Sequence, residues 1–451
     1  MEIVRTLNVK PETLNLKNII MKYIVLITIT LTTLLLNAQD DVYPTPAQKG
    51  TFYITNATIH VGNGTVMNNA TIKITDGKIA QVGTNISASG DIIDAKGKQV
   101  YPGLILPESD LGLKEIANAV RGSNDYQELG EWNPNIQSAV AYNTDSKIIN
   151  TLKSNGILLT NVAPAGSLIA GTTSVMQLDA WNWEDALYKR NTGIVFYMPS
   201  LINRRPRFGG GRGQQPETDP VKEGLDKIEE VKKFFREAKA YSQETDHRET
   251  NLKFEALKPL FAKQEKLFIH ADVVKQLLVA VDFSKEFGID VVIVGGNESW
   301  QIADLLKKNN ISVILSREYN LPETDDEDID QTFKTPYMLK QAGVLFALND
   351  DNDETRYRNL AFNAGTAAAY GLTKEEALQS ITLNAAKILG IDDRTGTIEE
   401  GKDANIVITD GDILDMRTSI VSAVFIQGRK VSLENKQTQL YNRYMTKYGL
   451  K

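Results

Sequence analysis

The chain has 451 residues, carries a formal net charge of -7 and contains no cysteine. The lack of cysteine excludes disulfides, thiolate metal sites and cysteine nucleophiles. The acidic balance gives no support to nucleic-acid binding, which usually requires a basic face. The sequence has three histidines, His60, His247 and His270, too few for a site that holds two metal ions mainly through imidazoles.

Residues 21–38 have the composition of an export signal. The stretch MKYIVLITITLTTLLLNA contains a lysine, an apolar and threonine-rich run of about 14 residues, and a small residue at Ala38. The run is shorter than the ~20 residues of a membrane span, and a buried core helix is the alternative interpretation. We therefore expect export to the periplasm or the extracellular space, with no stable membrane span after the signal is removed. On this interpretation Met21 is the initiator, and residues 1–20 are a non-native extension.

Two β-rich segments flank the middle of the chain. In residues 50–100, alternating apolar residues are interrupted by Asn-Gly and Asp-Gly pairs, which indicates hairpins. Residues 395–435 repeat this pattern. We expect the two segments to form one composite β-sandwich domain built from both ends of the chain.

Strand-like and helix-like segments alternate through residues 101–394. This alternation predicts parallel strands joined by helices, in either a barrel or a doubly wound sheet. The predicted strands are the apolar segments 156–163, 266–272, 290–296, 311–317 and 343–350. No G-x-G-x-x-G motif follows a predicted strand, so a dinucleotide fold has no specific support.

An insertion is expected at about residues 201–250. It begins with RRPRFGGGRGQQPETDP, which is either a mobile surface loop or an anion-binding lid. A helix should follow, because apolar residues recur at spacings of three and four from Val221 to Tyr241.

Several motifs occur in an order that resembles the amidohydrolase superfamily, and within it the imidazolonepropionase-like branch. The motifs are IHVGNGTVMNNATIKITDGKIAQVG, DAKGKQVYPGLI, SNGILLTNV, FIHAD, ITLNAAKILGI and GTIEEGKDANIVITDGD. The resemblance covers residues 50–435 and implies a distorted (β/α)8 TIM barrel with its site at the carboxyl ends of the strands. Other stretches resemble an exported bacterial subgroup with degenerate metal ligands.

The resemblance also implies the site residues. Superfamily members end the first barrel strand with two histidines, two residues apart, and the matching positions in this chain are Glu108 and Asp110. The fifth-strand histidine matches His270, whereas the sixth-strand histidine is replaced by Gly295. The eighth-strand aspartate, which binds metal and takes a proton from the attacking water, matches Asp350.

Three further positions complete the comparison with the family pattern. Asp351 is the alternative eighth-strand aspartate, one step out of register. Leu106 stands where an aspartate usually precedes the first-strand pair. Glu255 is the loose candidate for the fourth-strand lysine or glutamate.

The candidate metal ligands are Glu108, Asp110, His270 and Asp350. Asp350 is also the candidate catalytic base. Clustered carboxylates repel one another unless a proton or a cation neutralises them. Carboxylates with one imidazole suit a divalent ion such as Mn²⁺, Mg²⁺ or Ca²⁺ better than a histidine-built Zn²⁺ site does, although Zn²⁺ stays open. The alternative is a metal-free site, in which the acids cap turns and His270 bonds to a carboxylate.

We therefore expect an exported hydrolase that acts on non-peptide C–N bonds of a small cyclic or linear amide. The alternative is a catalytically inactive binding protein or partner subunit of the same fold that has lost its metal site. A homo-oligomer or a paralogous partner is compatible with both hypotheses. The sequence identifies no substrate-binding residue.

Overall fold

The computed structural model describes residue 21 and residues 43–115, 125–166, 168–202, 219–244, 246–316, 319, 327–350 and 356–450. The expected export signal (apart from Met21), the Arg/Gly stretch from residue 203 to 218 and Asp351 lie outside these residues. No helix in the described part of the chain has the length and apolar character that a membrane span requires.

Strands and helices alternate along most of the described chain. In chain order, the strands are β1 (Thr51–His60), β2 (Val66–Thr75), β3 (Lys78–Gly83), β4 (Asp91–Asp94), β5 (Gln99–Pro102), β6 (Leu104–Ser109), β7 (Ile157–Val162), β8 (Ile169–Gln177), β9 (Leu187–Tyr197), β10 (Lys266–Ala271), β11 (Val291–Gly295), β12 (Ser312–Leu315), β13 (Phe346–Leu348), β14 (Ile406–Thr409), β15 (Val421–Ile426) and β16 (Arg429–Val431). The α-helices are α1 (Ser138–Ala141), α2 (Lys147–Lys153), α3 (Trp183–Ala186), α4 (Pro220–Gln243), α5 (Leu252–Phe261), α6 (Val274–Phe287), α7 (Ala303–Lys308), α8 (Gln331–Gln341), α9 (Leu360–Ala369), α10 (Lys374–Ser380), α11 (Leu383–Leu389) and α12 (Lys436–Lys447).

One sheet joins the two ends of the chain. Its order is β16-β15-β14-β5-β1-β2-β3, with β4 beside β1. Strand β5, from the amino-terminal segment, pairs antiparallel with β14, from the carboxyl-terminal segment. The buried side chains of both segments share one apolar cluster that includes Ile54, Ile72, Val100, Ile406 and Phe425. The expected composite β-domain is therefore present, and the exact domain boundaries stay predictions.

The second sheet is a nearly closed barrel of eight strands, in the order β13-β12-β11-β10-β9-β8-β7-β6. Its strands run parallel except β8, which is antiparallel to both β7 and β9. This reversal distorts the ideal strand–helix repeat. The predicted distorted TIM barrel is confirmed, and the predicted strand segments correspond to β7, β10, β11, β12 and β13.

Helix α11 closes the amino-terminal end of the barrel. Ile105 of β6, Phe268 of β10 and Ala347 of β13 share a buried cluster, which we call the inner cluster, with Ile388 of α11. Lys266, the first residue of β10, donates to the carbonyl oxygen of Ile388 at 2.6 Å. Because α11 occupies this end, the carboxyl ends of the strands form the barrel mouth.

The predicted helix of the insertion is confirmed as α4. Asp219 caps it, with its carboxylate accepting from the backbone N–H of Val221 at 3.0 Å, and a proline occupies the first turn. The apolar face is buried, and Phe235 packs edge-on against Phe283 of α6 at 5.6 Å between ring centroids. The insertion is thus attached to the outer wall of the barrel.

Glu265 is a buried acid at the amino-terminal end of β10. The residue is 5% exposed, and its Oε2 has no hydrogen-bond partner among the described residues. Burial raises the pKa of Glu265 to about 7, against the opposing effects of Asn191 and Lys189. Between pH ~4.5 and about 7, Glu265 keeps its proton in the folded chain and loses it in the unfolded chain. The free energy of unfolding therefore falls as the pH rises through this window.

We predict that Glu265→Gln stabilises the protein by about 1–3 kcal/mol at pH 8, because one pKa unit corresponds to ~1.4 kcal/mol and residual hydration reduces the full value. At pH 4.5 the same change should have little effect. Urea unfolding at the two pH values measures the difference, with the exposed Glu434→Gln as the matched control. An equal gain at both pH values would contradict the burial of an ionisable group.

Candidate functional site

Strand β6 contains a β-bulge shortly before its end. Leu106 pairs with Thr160 of β7, and Ser109 pairs with Val162. Three steps along β6 therefore match two steps along β7, which leaves one extra residue in β6. An extra residue reverses the alternation of side chains beyond it, and such bulges are common beside functional sites.

The bulge turns Glu108 and Asp110 towards the barrel mouth. Before the bulge, Ile105 belongs to the inner cluster and Leu106 to the outer core between the sheet and its helices. Without the extra residue, Glu108 and Asp110 would share the outward face of Leu106. With it they face inward, and both are buried, with Glu108 at 2% and Asp110 at 6% exposure.

Glu108 and His270 meet across the mouth. His270 lies in β10, on the inward face that it shares with Phe268, and its Nε2 is 2.7 Å from Oε1 of Glu108. Neither atom makes a hydrogen bond of regular geometry within the described residues. His270 exposes 19% of its side chain and Glu108 exposes 3%, so the imidazole is the accessible member of the pair.

Two tyrosines lie beside the inward-facing residues of the mouth, Tyr197 at His270 and Tyr357 at Asp110. Tyr197 ends β9 and stacks on His270, with 4.1 Å between ring centroids. The hydroxyl group of Tyr357 donates to Oδ1 of Asp110 at 2.6 Å and accepts from the Asp110 backbone N–H at 3.3 Å. Burial, followed by the negative charges of Glu108 and Asp110, raises the pKa of Tyr197 and of Tyr357 well above the usual value. Both phenols therefore stay protonated and can donate hydrogen bonds.

The other two acids each have a basic partner. Lys114 Nζ lies 3.7 Å from Oδ2 of Asp110, and Arg356 Nε lies 3.3 Å from Oδ1 of Asp350. The acidic side chains are 7% and 1% exposed, whereas the lysine and arginine side chains are 19% and 38% exposed. The basic groups thus lie on the solvent side of the acids.

The expected metal ligands do not form one coordination shell. In the part of the chain that the structure describes, no group of three or more His, Asp or Glu side chains is arranged to hold a metal ion. Glu108 contacts His270, whereas Asp110 and Asp350 each contact a basic side chain. A carboxylate oriented towards Lys or Arg is not oriented towards a shared ion. The assignment of these four side chains as metal ligands stays a prediction. Their contacts in the structure do not fit it.

A histidine at the sixth-strand position would be strained. Gly295 ends β11 with a φ of +100°, in the region that favours glycine. A Cβ atom at this position would collide with the carboxylate of Asp272, which directly follows β10. An acid from the neighbouring strand end therefore fills the space that a side chain at position 295 would need.

The fourth-strand assignment of Glu255 is wrong. The fourth barrel strand is β9, which ends at Tyr197, whereas Glu255 lies in α5, just after the insertion. Its Oε1 accepts from the Tyr241 hydroxyl group at 2.6 Å and from Lys258 at 2.7 Å. The carboxylate is therefore a structural partner that joins α5 to α4.

Sequence reasoning missed the groups that surround the acids, namely Tyr197, Tyr357, Lys114 and Arg356. Lys114 had the clearest signal, because it follows Asp110 by four residues. Tyr197 could be recognised only after β9 had been placed as the fourth strand. Tyr357 and Arg356 come from the chain beyond β13, and no motif connects them with the first strand.

Comparison with known proteins agrees with the fold. Residues 298–431 match the model of the amidohydrolase family. Imidazolonepropionase of Fusobacterium nucleatum is 27% identical over 385 residues, which cover 76% of this chain and 86% of that protein. Imidazolonepropionase of Thermoplasma volcanium is 35% identical over 119 residues, covering 25% of this chain and only 30% of the relative. A solved amidohydrolase from Thermotoga maritima has a TM-score of 0.73 and 25% identity, covering 84% of this chain and 99% of that one.

In its barrel with a composite β-domain, its family match over residues 298–431 and its solved neighbour, this chain resembles the amidohydrolase superfamily. Within the superfamily it is imidazolonepropionase-like. Members of the family usually bind a divalent metal ion. In this protein, by contrast, Asp110 and Asp350 each contact a basic side chain.

We predict that Tyr357→Phe destabilises the protein by about 1–3 kcal/mol, because buried Asp110 loses the hydroxyl donor that satisfies it. Urea unfolding measures the change. Tyr142→Phe is the matched control, since the Tyr142 hydroxyl group is buried and has no hydrogen-bond partner among the described residues. The control should be neutral or stabilising, and equal losses in the two variants would refute the role of the Asp110 bond.

Proposed function

We propose that this chain is a hydrolase that cleaves non-peptide C–N bonds in cyclic or linear amides. The contact between His270 and Glu108 at the carboxyl ends of two barrel strands carries the proposal. Active sites of TIM barrels lie at this end. The imidazolonepropionase relatives, named for an imidazolone, support a small cyclic amide as the substrate class.

The proposed reaction needs one base and one acid. Asp350 accepts a proton from the attacking water, whose oxygen forms a bond to the amide carbon. The C–N bond then breaks, and protonated His270 gives its proton to the leaving nitrogen. The Glu108 carboxylate contacts the imidazole, with its Oε1 2.7 Å from Nε2, and orients the ring. Positioned acid–base groups of this kind contribute about 10²- to 10⁴-fold to a rate.

The tyrosines have a supporting role in this proposal. A phenol that stays protonated can donate a hydrogen bond to a carbonyl oxygen and favour the negative charge that develops there. Tyr197 stacks on His270 and is placed for such a contact. Tyr357 already donates to Asp110 and holds that carboxylate in place.

A divalent ion, whether Zn²⁺, Mn²⁺, Mg²⁺ or Ca²⁺, would need the three acids and the imidazole of the expected set to converge. That convergence requires Lys114 and Arg356 to leave their carboxylate partners. The proposed proton transfers use the side chains in the positions described above.

The relatives favour a hydrolase over a catalytically inactive binding protein.

We further propose that the protein is exported to the periplasm or the extracellular space, a proposal that the composition of residues 21–38 supports. An amino-terminus sequenced from cells that still contained these residues would contradict export. A second copy or a paralogous subunit is the proposed type of partner.

The hydrolase proposal is tested by measuring amine or ammonia release from a panel of imidazolones, hydantoins, lactams and N-acyl amino acids. For the substrate that reacts, we predict that His270→Gln and Asp350→Asn each lower kcat/KM by about 10²-fold or more. His247→Gln is the matched control, because His247 stacks on Tyr241 in the insertion. The proposal fails if no member of the panel reacts, or if the His270 variant retains the activity of the control.

A further inference from the structure

The barrel mouth concentrates negative charge in a buried place. Glu108, Asp110 and Asp350 are exposed by 2%, 6% and 1% respectively. Buried carboxylates need a compensating cation or a proton. In most related hydrolases a divalent ion is available for this task.

Two basic side chains in this protein already stand beside those acids. Lys114 follows β6 and reaches Asp110, and Arg356 follows β13 and reaches Asp350. Each base comes from the same strand end as its acid, so folding of the barrel brings the pairs together without a bound ligand. An arriving cation would meet like charge at the solvent side of both acids.

Gly295, at the sixth-strand position, also differs from the expected ligand set. A histidine at position 295 would be strained, because the φ of +100° is rarely adopted by L side chains and the Asp272 carboxylate would have to move. The expected ligands are therefore replaced at two strand ends, β6 and β11, and the retained Asp350 at the end of β13 has a basic partner. Lys114 lies at the strand end where the resemblance implies two lost histidines, and Arg356 lies at the strand end that keeps its aspartate.

Resting on the hydrolase function proposed above, we propose that Lys114 and Arg356 replace the divalent ion electrostatically. They neutralise Asp110 and Asp350 and keep the mouth free of a resident metal. Both bases are in reach of solvent, so they also give the mouth a positive rim that can attract the carbonyl oxygen of a substrate.

The inference predicts how metal affinity responds to loss of the two bases. The full chain is purified without a metal-affinity step, dialysed against EDTA and titrated with MnCl₂ and ZnCl₂ by calorimetry. Wild-type protein should hold far less than one equivalent of metal. Lys114→Met combined with Arg356→Met should bind Mn²⁺ at least ~10-fold more tightly, because two like charges are removed from beside the acids.

The matched control is a double variant. It removes two ion pairs from the side of the molecule that contains the β-domain. Lys98 lies 2.6 Å from Asp410 and Lys374 lies 2.7 Å from Asp412. Lys98→Met combined with Lys374→Met should leave metal affinity unchanged. If the mouth variant does not fold, the single changes Lys114→Gln and Arg356→Gln replace it, and each should still tighten Mn²⁺ binding above wild type.

Two results would overturn the inference. One is wild-type protein that keeps about one equivalent of metal after EDTA. The other is a folded mouth variant, judged by circular dichroism, whose Mn²⁺ affinity equals that of the control. These readouts need no substrate, so they decide the metal question even if the amide panel shows no turnover. If turnover is found, its persistence after EDTA treatment is a further expected result.

Discussion

The extra residue in β6 is the constraint on which the site depends. A strand has only two faces, so one inserted residue changes which side chains point into the barrel. Up to Leu106 the strand follows the alternation of an ordinary buried strand, with Ile105 inside. Beyond the bulge, Glu108 faces His270 and Asp110 reaches Tyr357. All the chemistry considered for this protein uses side chains that this one irregularity directs inward or that lie opposite them.

The three acids of the mouth, Glu108, Asp110 and Asp350, have different types of partner. Asp110 bonds to a buried phenol and contacts Lys114, which fixes the segment after β6 against the chain beyond β13. Asp350 contacts Arg356. Glu108 differs, because its neighbour is the accessible imidazole of His270 rather than a fixed basic group. The Glu108–His270 pair is therefore the part of the mouth in which a partly exposed side chain, rather than a basic group with a fixed charge, faces the acid.

Much of the fold could be predicted from the sequence because its signals are local. Apolar runs located β7 and β10 to β13, and turn residues located the hairpins of the composite β-domain. The antiparallel course of β8 could not be predicted, since strand direction depends on pairing between distant segments. The same limit applies to the site. The positions of Glu108 and His270 could be inferred, whereas the contacts of Asp350 and Asp110 with basic side chains depend on loop paths that carry no periodic signal.

The pairing of β5 with β14 also determines when the protein can fold. Strand β5 is made early, but its antiparallel partner follows about 300 residues later. At a synthesis rate of roughly 5–20 residues per second, β5 waits for about 15–60 s before that partner exists. During this time the edge of the amino-terminal sheet stays open, and unpaired edges invite association with other chains. The β-domain therefore cannot be completed until the segment that carries β14 is available.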